Sequence, residues 1–109
     1  MAEDGDDAGA EALGADRSLL IVEDDKPFLT RLARAMEGRG FAVETAEGVE
    51  EAVAKVKAAA PAYAVVDMRL GDGNGLDVVA AIRERRSNAR MIVLTGYGNI
   101  ATAVTAVKL

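Results

Sequence analysis

Residues 62–75, AYAVVDMRLGDGNG, constrain the fold more than any other part of this chain. Tyr63, Ala64, Val65 and Val66 form a short apolar, β-prone run that ends in one carboxylate, Asp67. A turn containing Gly71, Gly73 and Gly75 follows, and then an amphipathic segment begins. An apolar run this short, bounded by turn residues, has the pattern of a strand buried on both faces of a parallel sheet. Functional groups of open α/β sheets sit just past the carboxyl ends of such strands, which is where Asp67 falls. An isolated aspartate at that position is more commonly a strand-end cap. A second acidic cluster, placed the same way after an earlier strand, shifts the balance.

That earlier strand is predicted over residues 18–22 and runs into Glu23, Asp24 and Asp25. Lys26-Pro27 opens a helix, since proline is tolerated in a first turn. Phe28, Leu29, Leu32, Ala35 and Met36 recur at helical spacing, with Gly38 and Gly40 as the stop. Residues 41–46 alternate as a second strand. A second helix starts at Glu47 or Gly48, with Val49, Val53 and Val56 expected to face the core. Pro61 follows it, and the third strand spans 63–66. A third helix over 76–86 is expected to turn Leu76, Val79 and Ile82 inward. Residues 91–94 form a fourth strand closed by Thr95-Gly96, and 99–109 read as a last helix. The order βαβαβαβα with short loops means an α/β, doubly wound parallel sheet with right-handed crossovers. Such sheets usually carry at least about five strands, so the sequence reads as cut short after its fourth strand and helix.

Residues 1–17 are acidic, rich in Ala and Gly and poor in large apolar groups, and are expected to be a disordered tail. The rest, 18–109, is one domain. With half of its 109 residues hydrophobic the chain is globular. It has no cysteine and no histidine, which excludes disulfides, thiolate zinc sites, a cysteine nucleophile and phosphohistidine chemistry on this chain. A net charge of −5 argues against direct binding of nucleic acid by this piece. There is no apolar run of membrane-spanning length and no signal-peptide pattern, so a cytoplasmic location is expected.

Three strands would deliver polar groups to one sheet edge: Glu23, Asp24 and Asp25 from the first, Asp67 from the third, and Thr95 from the fourth. Crowded carboxylates repel, and a hard divalent cation relieves the repulsion. An oxygen-only donor set favours Mg²⁺ over zinc. A cation beside a free carboxylate suits acyl-phosphate chemistry, with Asp67 as nucleophile and Thr95 supplying a hydroxyl. Asp25 is a good N-cap for the first helix, but one cap needs one residue and not three. Thr95 alone reads more readily as a cap of the turn into the last helix.

With these residues in place, the chain resembles the receiver domain of two-component response regulators over residues 18–109. The resemblance is carried by LLIVEDD (19–25), VVDMRLGDGNG (65–75) and IVLTGYG (92–98), in that order and spacing. The wording of AYAVVDMRL, DGNGLDVV and VLTGYG is most similar to the RegA/PrrA group of redox-responsive global regulators. The resemblance implies a flavodoxin-like (CheY-like) fold. It implies that Asp67 accepts a phosphoryl group from the phosphohistidine of a sensor histidine kinase. Glu23 and Asp24 match the acidic pocket, and Asp24, Asp67 and the backbone carbonyl of Arg69 match the Mg²⁺ ligands. Thr95 matches the switch hydroxyl. Arg69, Gly96 and Tyr97 take positions that tune hydrolysis, and bulk at Arg69 and Tyr97 implies a shielded phosphoryl group. Such a domain is no enzyme toward other substrates: it catalyses its own phosphorylation and dephosphorylation. The implied partners are a kinase, a second copy in a homodimer of the full-length protein, and DNA only through an output domain outside this sequence.

Two departures stand out. Gly71 occupies a position where the family often has proline. The family's fifth strand, with its phosphate-binding lysine, has no counterpart here, because Lys108 belongs to the expected last helix. Three other readings compete. Gly96–Ala101 fits G-x-G-x-x-A, but after the fourth strand and not the first, as a dinucleotide site requires. A magnesium phosphatase would carry a second aspartate where Arg69 stands. A degenerate receiver, serving only as a phosphorylation-independent interaction module, is separated from a working one by whether Asp67 takes phosphate.

Overall fold

A computed structural model of the chain describes residues 15–95. In order, the elements are β1 (Ser18–Val22), α1 (Lys26–Glu37), β2 (Ala42–Ala46), α2 (Val49–Ala58) and β3 (Tyr63–Asp67). They continue with the two-residue strands β4 (Arg69–Leu70) and β5 (Gly73–Asn74), then α3 (Gly75–Arg85) and β6 (Arg90–Leu94). The expected last helix over 99–109, with Gly96, Tyr97 and Lys108, lies outside the described residues, as do residues 1–14 of the expected tail. Asp16 and Arg17, at the end of that tail, contact the domain. Asp16 Oδ1 accepts from Ser18 N at 2.9 Å and Asp16 Oδ2 from the Arg86 guanidinium at 2.7 Å, and Arg17 lies 4.7 Å over the Phe41 ring.

β1, β2, β3 and β6 form one parallel sheet in the order β2-β1-β3-β6. β1 and β3 are the inner strands, which is why LLIV and AVV are apolar on both faces. Side chains alternate across the sheet. Leu20, Val22, Ala64, Val66, Met91 and Val93 face α2 and α3, where they pack with Val56, Val78 and Ile82. Leu19 and Ile21 face the opposite layer, where Leu29 of α1 is buried and Leu32, Ala33 and Met36 pack around it. Phe41 and Tyr63 join that layer edge to face, with ring centroids 5.3 Å apart. The helices thus sit on both faces of the sheet, as the βα alternation predicts. No helix among the described residues is long and apolar enough to cross a membrane.

Helix boundaries follow their caps. Asp25 caps α1 by accepting from Phe28 N at 3.2 Å, and Pro27 sits in the first turn. Three inward positions differ from the periodic reading. In α1, Ala33 packs against the core and Ala35 is exposed. In α2, Ala52 is fully buried beside Val56, while Val53 is only half-buried. In α3, Leu76 is 45% exposed and Val78, Val79 and Ile82 form the buried stripe. The phase of α3 is set by Gly75, whose backbone lies against Asp67. A Cβ added at Gly75 would stand 2.1 Å from the Asp67 carbonyl oxygen. That contact turns Val78 toward the sheet and rolls Leu76 out. The glycine-rich turn is also more ordered than expected, since Arg69 and Leu70 pair antiparallel with Asn74 and Gly73 as a small hairpin.

Candidate functional site

The register of the parallel sheet decides which side chains meet. Val22 is level with Val66, and Asp67 is level with Leu94, so the residues following β1 and β6 flank the end of β3. Glu23 follows β1 directly and is held there by a bond from its N–H to Ala46 O at 3.0 Å. Met68 N donates to Leu94 O at 2.7 Å and fixes the chain just after Asp67. Glu23, Asp24 and Asp67 are thereby brought together, each offering a carboxylate oxygen within 4.8 Å of the others. Glu23 and Asp67 are buried, with 6% and 7% exposure, and Asp24 opens to solvent. Thr95 is half-buried one residue past β6, on the strand that neighbours β3. Arg69 is exposed in β4, and its N–H reaches Asp67 Oδ1 at 3.3 Å. Asp25 turns away as the helix cap.

Burial pushes the Glu23 carboxyl up to about 7. The Asp25 N–H, which donates to Glu23 Oε2 at 3.0 Å, opposes the shift. The negative charge of Asp67 and hydrogen bonding with Asp24 and Asp67 add to it. Two buried carboxylates and one exposed one, with no nitrogen or sulfur donor among them, form a site that repels itself when empty of cations. That donor chemistry fits a hard divalent ion open to water on one side. Chemically, the arrangement presents one carboxylate, Asp67, at the end of the central strand, beside the Glu23 and Asp24 carboxylates.

One contributor has no signal in the local sequence. Asp72, at the tip of the β4–β5 hairpin, accepts from Val49 N at 2.7 Å and from Glu50 N at 3.1 Å. It therefore caps α2 from across the fold, in place of Gly48, which has no side chain to do so. The two backbone N–H groups hold its carboxyl below the usual aspartate range. Gly48 is what lets it approach: a Cβ there would stand 2.8 Å from Asp72 Oδ1.

Comparison with known proteins places these residues in a wider set. The family model described as the response regulator receiver domain matches residues 19–109. The chain is 69% identical over 102 residues to the acid tolerance regulatory protein ActR of Sinorhizobium medicae, covering 94% of this chain and 53% of that protein. It is 68% identical over 97 residues to the photosynthetic apparatus regulatory protein RegA of Cereibacter sphaeroides, covering 89% of this chain and 53% of that protein. It therefore spans about half the length of these curated relatives. Among solved structures it is similar to a response regulator protein from Burkholderia pseudomallei with a phosphorylated aspartic acid, calcium ion and citrate. The TM-score is 0.71 at 38% identity, covering 80% of this chain and 51% of that one.

Proposed function

This chain belongs to the response regulator receiver domain family, and from that premise we propose that Asp67 is its phosphoacceptor. The observation that carries the reading is the burial of Asp67 at the end of central strand β3, with Glu23 and Asp24 carboxylates within 4.8 Å. The phosphorylated aspartic acid and calcium ion of the Burkholderia relative support it.

In this reading an Asp67 Oδ attacks the phosphorus of a phosphohistidine on a sensor histidine kinase. An O–P bond forms, the N–P bond breaks, and its electron pair returns to the imidazole, which takes up a proton. The product is an acyl phosphate on Asp67. A divalent cation, Mg²⁺ by the hardness of the donors, supplies charge neutralisation at the phosphoryl oxygens when bound. Asp24, Asp67, Glu23 and the backbone carbonyl of Arg69 are the groups that would hold it. The Arg69 N–H restrains the Asp67 carboxylate between the strand end and the hairpin. Thr95 approaches the phosphoryl group from the neighbouring strand, and Arg69, Gly96 and Tyr97 set how readily water reaches it. Asp67 then serves as a switch read by an output domain, for which DNA is the target, with a homodimer as the active form of the whole protein. No turnover of outside substrates is part of this reading.

The test is intact-mass analysis after incubation with acetyl phosphate and Mg²⁺. One phosphoryl adduct is expected on the native chain, absent in Asp67→Asn and absent in EDTA. Failure of the native chain to form the adduct, with its fold and Mg²⁺ binding intact, would leave a phosphorylation-independent interaction module as the better account.

A further inference from the structure

We infer that Asp72 is a positioning residue for the cation site, acting by fastening the β4–β5 hairpin to the amino terminus of α2. The role assigned to the site rests on the reading of Asp67 above.

The hairpin is held at its base and at its tip. At the base, Met68 N bonds Leu94 O at 2.7 Å and Gly75 N bonds Met68 O at 2.8 Å. At the tip, the Asp72 carboxylate takes the Val49 and Glu50 N–H groups. Arg69, whose carbonyl would face the cation, lies between these fixed points, on the strand paired with β5. The tip tie works against charge. Asp72 shares a surface hollow with Asp24, Glu47, Glu50 and Glu51, all carboxylates. Their repulsion would swing the hairpin outward were its tip not bonded to two backbone amides. Nor is the contact an incidental cap. Asp72 comes from a segment far along the chain from α2, and Gly48 leaves room for its carboxylate that even a methyl group would fill. Release of Asp72 frees the tip and lets the Arg69 carbonyl drift, while Glu23, Asp24 and Asp67 stay in place through the sheet.

Two variants break the tie from opposite sides. Asp72→Ala removes the acceptor. Gly48→Ala pushes the carboxylate off, and because Gly48 is in extended backbone (φ −162°, ψ 179°) alanine is tolerated there. Hydrogen exchange and isothermal titration with Mg²⁺ alone are the readouts. In both variants, exchange at the Val49 and Glu50 amides is expected to quicken about fivefold, the loss of one cap. Mg²⁺ affinity is expected to fall about threefold or more, less than the ~10–100-fold loss when a direct partner of a ligand is removed. Asp72→Asn, which keeps one acceptor oxygen, is expected to recover part of both. Ile82→Val, a core change of comparable instability, is expected to leave Mg²⁺ affinity at the native value. Faster exchange with unchanged Mg²⁺ affinity in Asp72→Ala and Gly48→Ala overturns the inference. So does unchanged exchange in Asp72→Ala, or an equal affinity loss in Ile82→Val. These readouts need no phosphoryl transfer, so a native chain that binds Mg²⁺ yet takes no phosphoryl group refutes the reading of Asp67 and still decides the role of Asp72.

Discussion

Glu23 shows the cost of burying a carboxyl at the end of a strand. Its carboxyl is raised from 4.5 to about 7, so the fold favours its neutral form. The corresponding stability is fully present below about pH 4.5 and is lost as pH rises through about 7. Glu23→Gln stays neutral throughout. In EDTA, the melting temperature of the Gln variant is therefore expected to pull ahead of the native chain progressively across that window. A difference that stays constant would show that Glu23 is not held neutral. Asp67 and the Glu23-Asp24 pair were legible in the sequence because each follows an apolar run, and strand ends are where a parallel sheet collects such groups. Asp72 was not legible. Its partners, Val49 and Glu50, are reached through tertiary structure, and nothing near an exposed aspartate in a glycine-rich turn announces a distant helix end.

At the scale of elements, the three helices and the four strands of the parallel sheet among the described residues were readable to within a residue or two, and the faces of the helices were less so. Period gives a stripe but not its phase. Leu76, Val79 and Ile82 satisfy helical spacing, yet Gly75 must lie flat on the Asp67 carbonyl, and that contact rotates Val78 inward in place of Leu76. Likewise Ala52, which the valine pattern hides, is buried because α2 lies close to α3, where a small side chain fits. Urea denaturation separates the two faces of α3. Ile82→Ala, at a fully buried position, is expected to cost about 2–5 kcal/mol. Leu76→Ala is expected to cost under about 1 kcal/mol. Similar losses at both positions would contradict the rotation described above. The hairpin β4–β5 escaped prediction because its strands are two residues long and read as turn chemistry, glycine by glycine.

For the molecule as a whole, the sheet and the acidic site form one system. A cation that binds the folded site and not the open chain raises stability with its concentration, by about 2.7 kcal/mol at a hundredfold excess over its dissociation constant. The melting temperature of the native chain is accordingly expected to climb logarithmically with Mg²⁺, and that of Asp24→Ala to stay flat. A climb of equal slope in both would place the ion elsewhere. The sheet order β2-β1-β3-β6 has a consequence for biosynthesis. Glu23 and Asp24 follow β1 and leave the ribosome well ahead of Asp67, which ends β3. While the chain is half made, Glu23 and Asp24 are hydrated and Asp67 is far from both. Asp67 meets them only when β3 pairs beside β1. The charge of Asp67 is thus brought to Glu23 and Asp24 at the centre of the sheet, at the step that pairs β3 with β1.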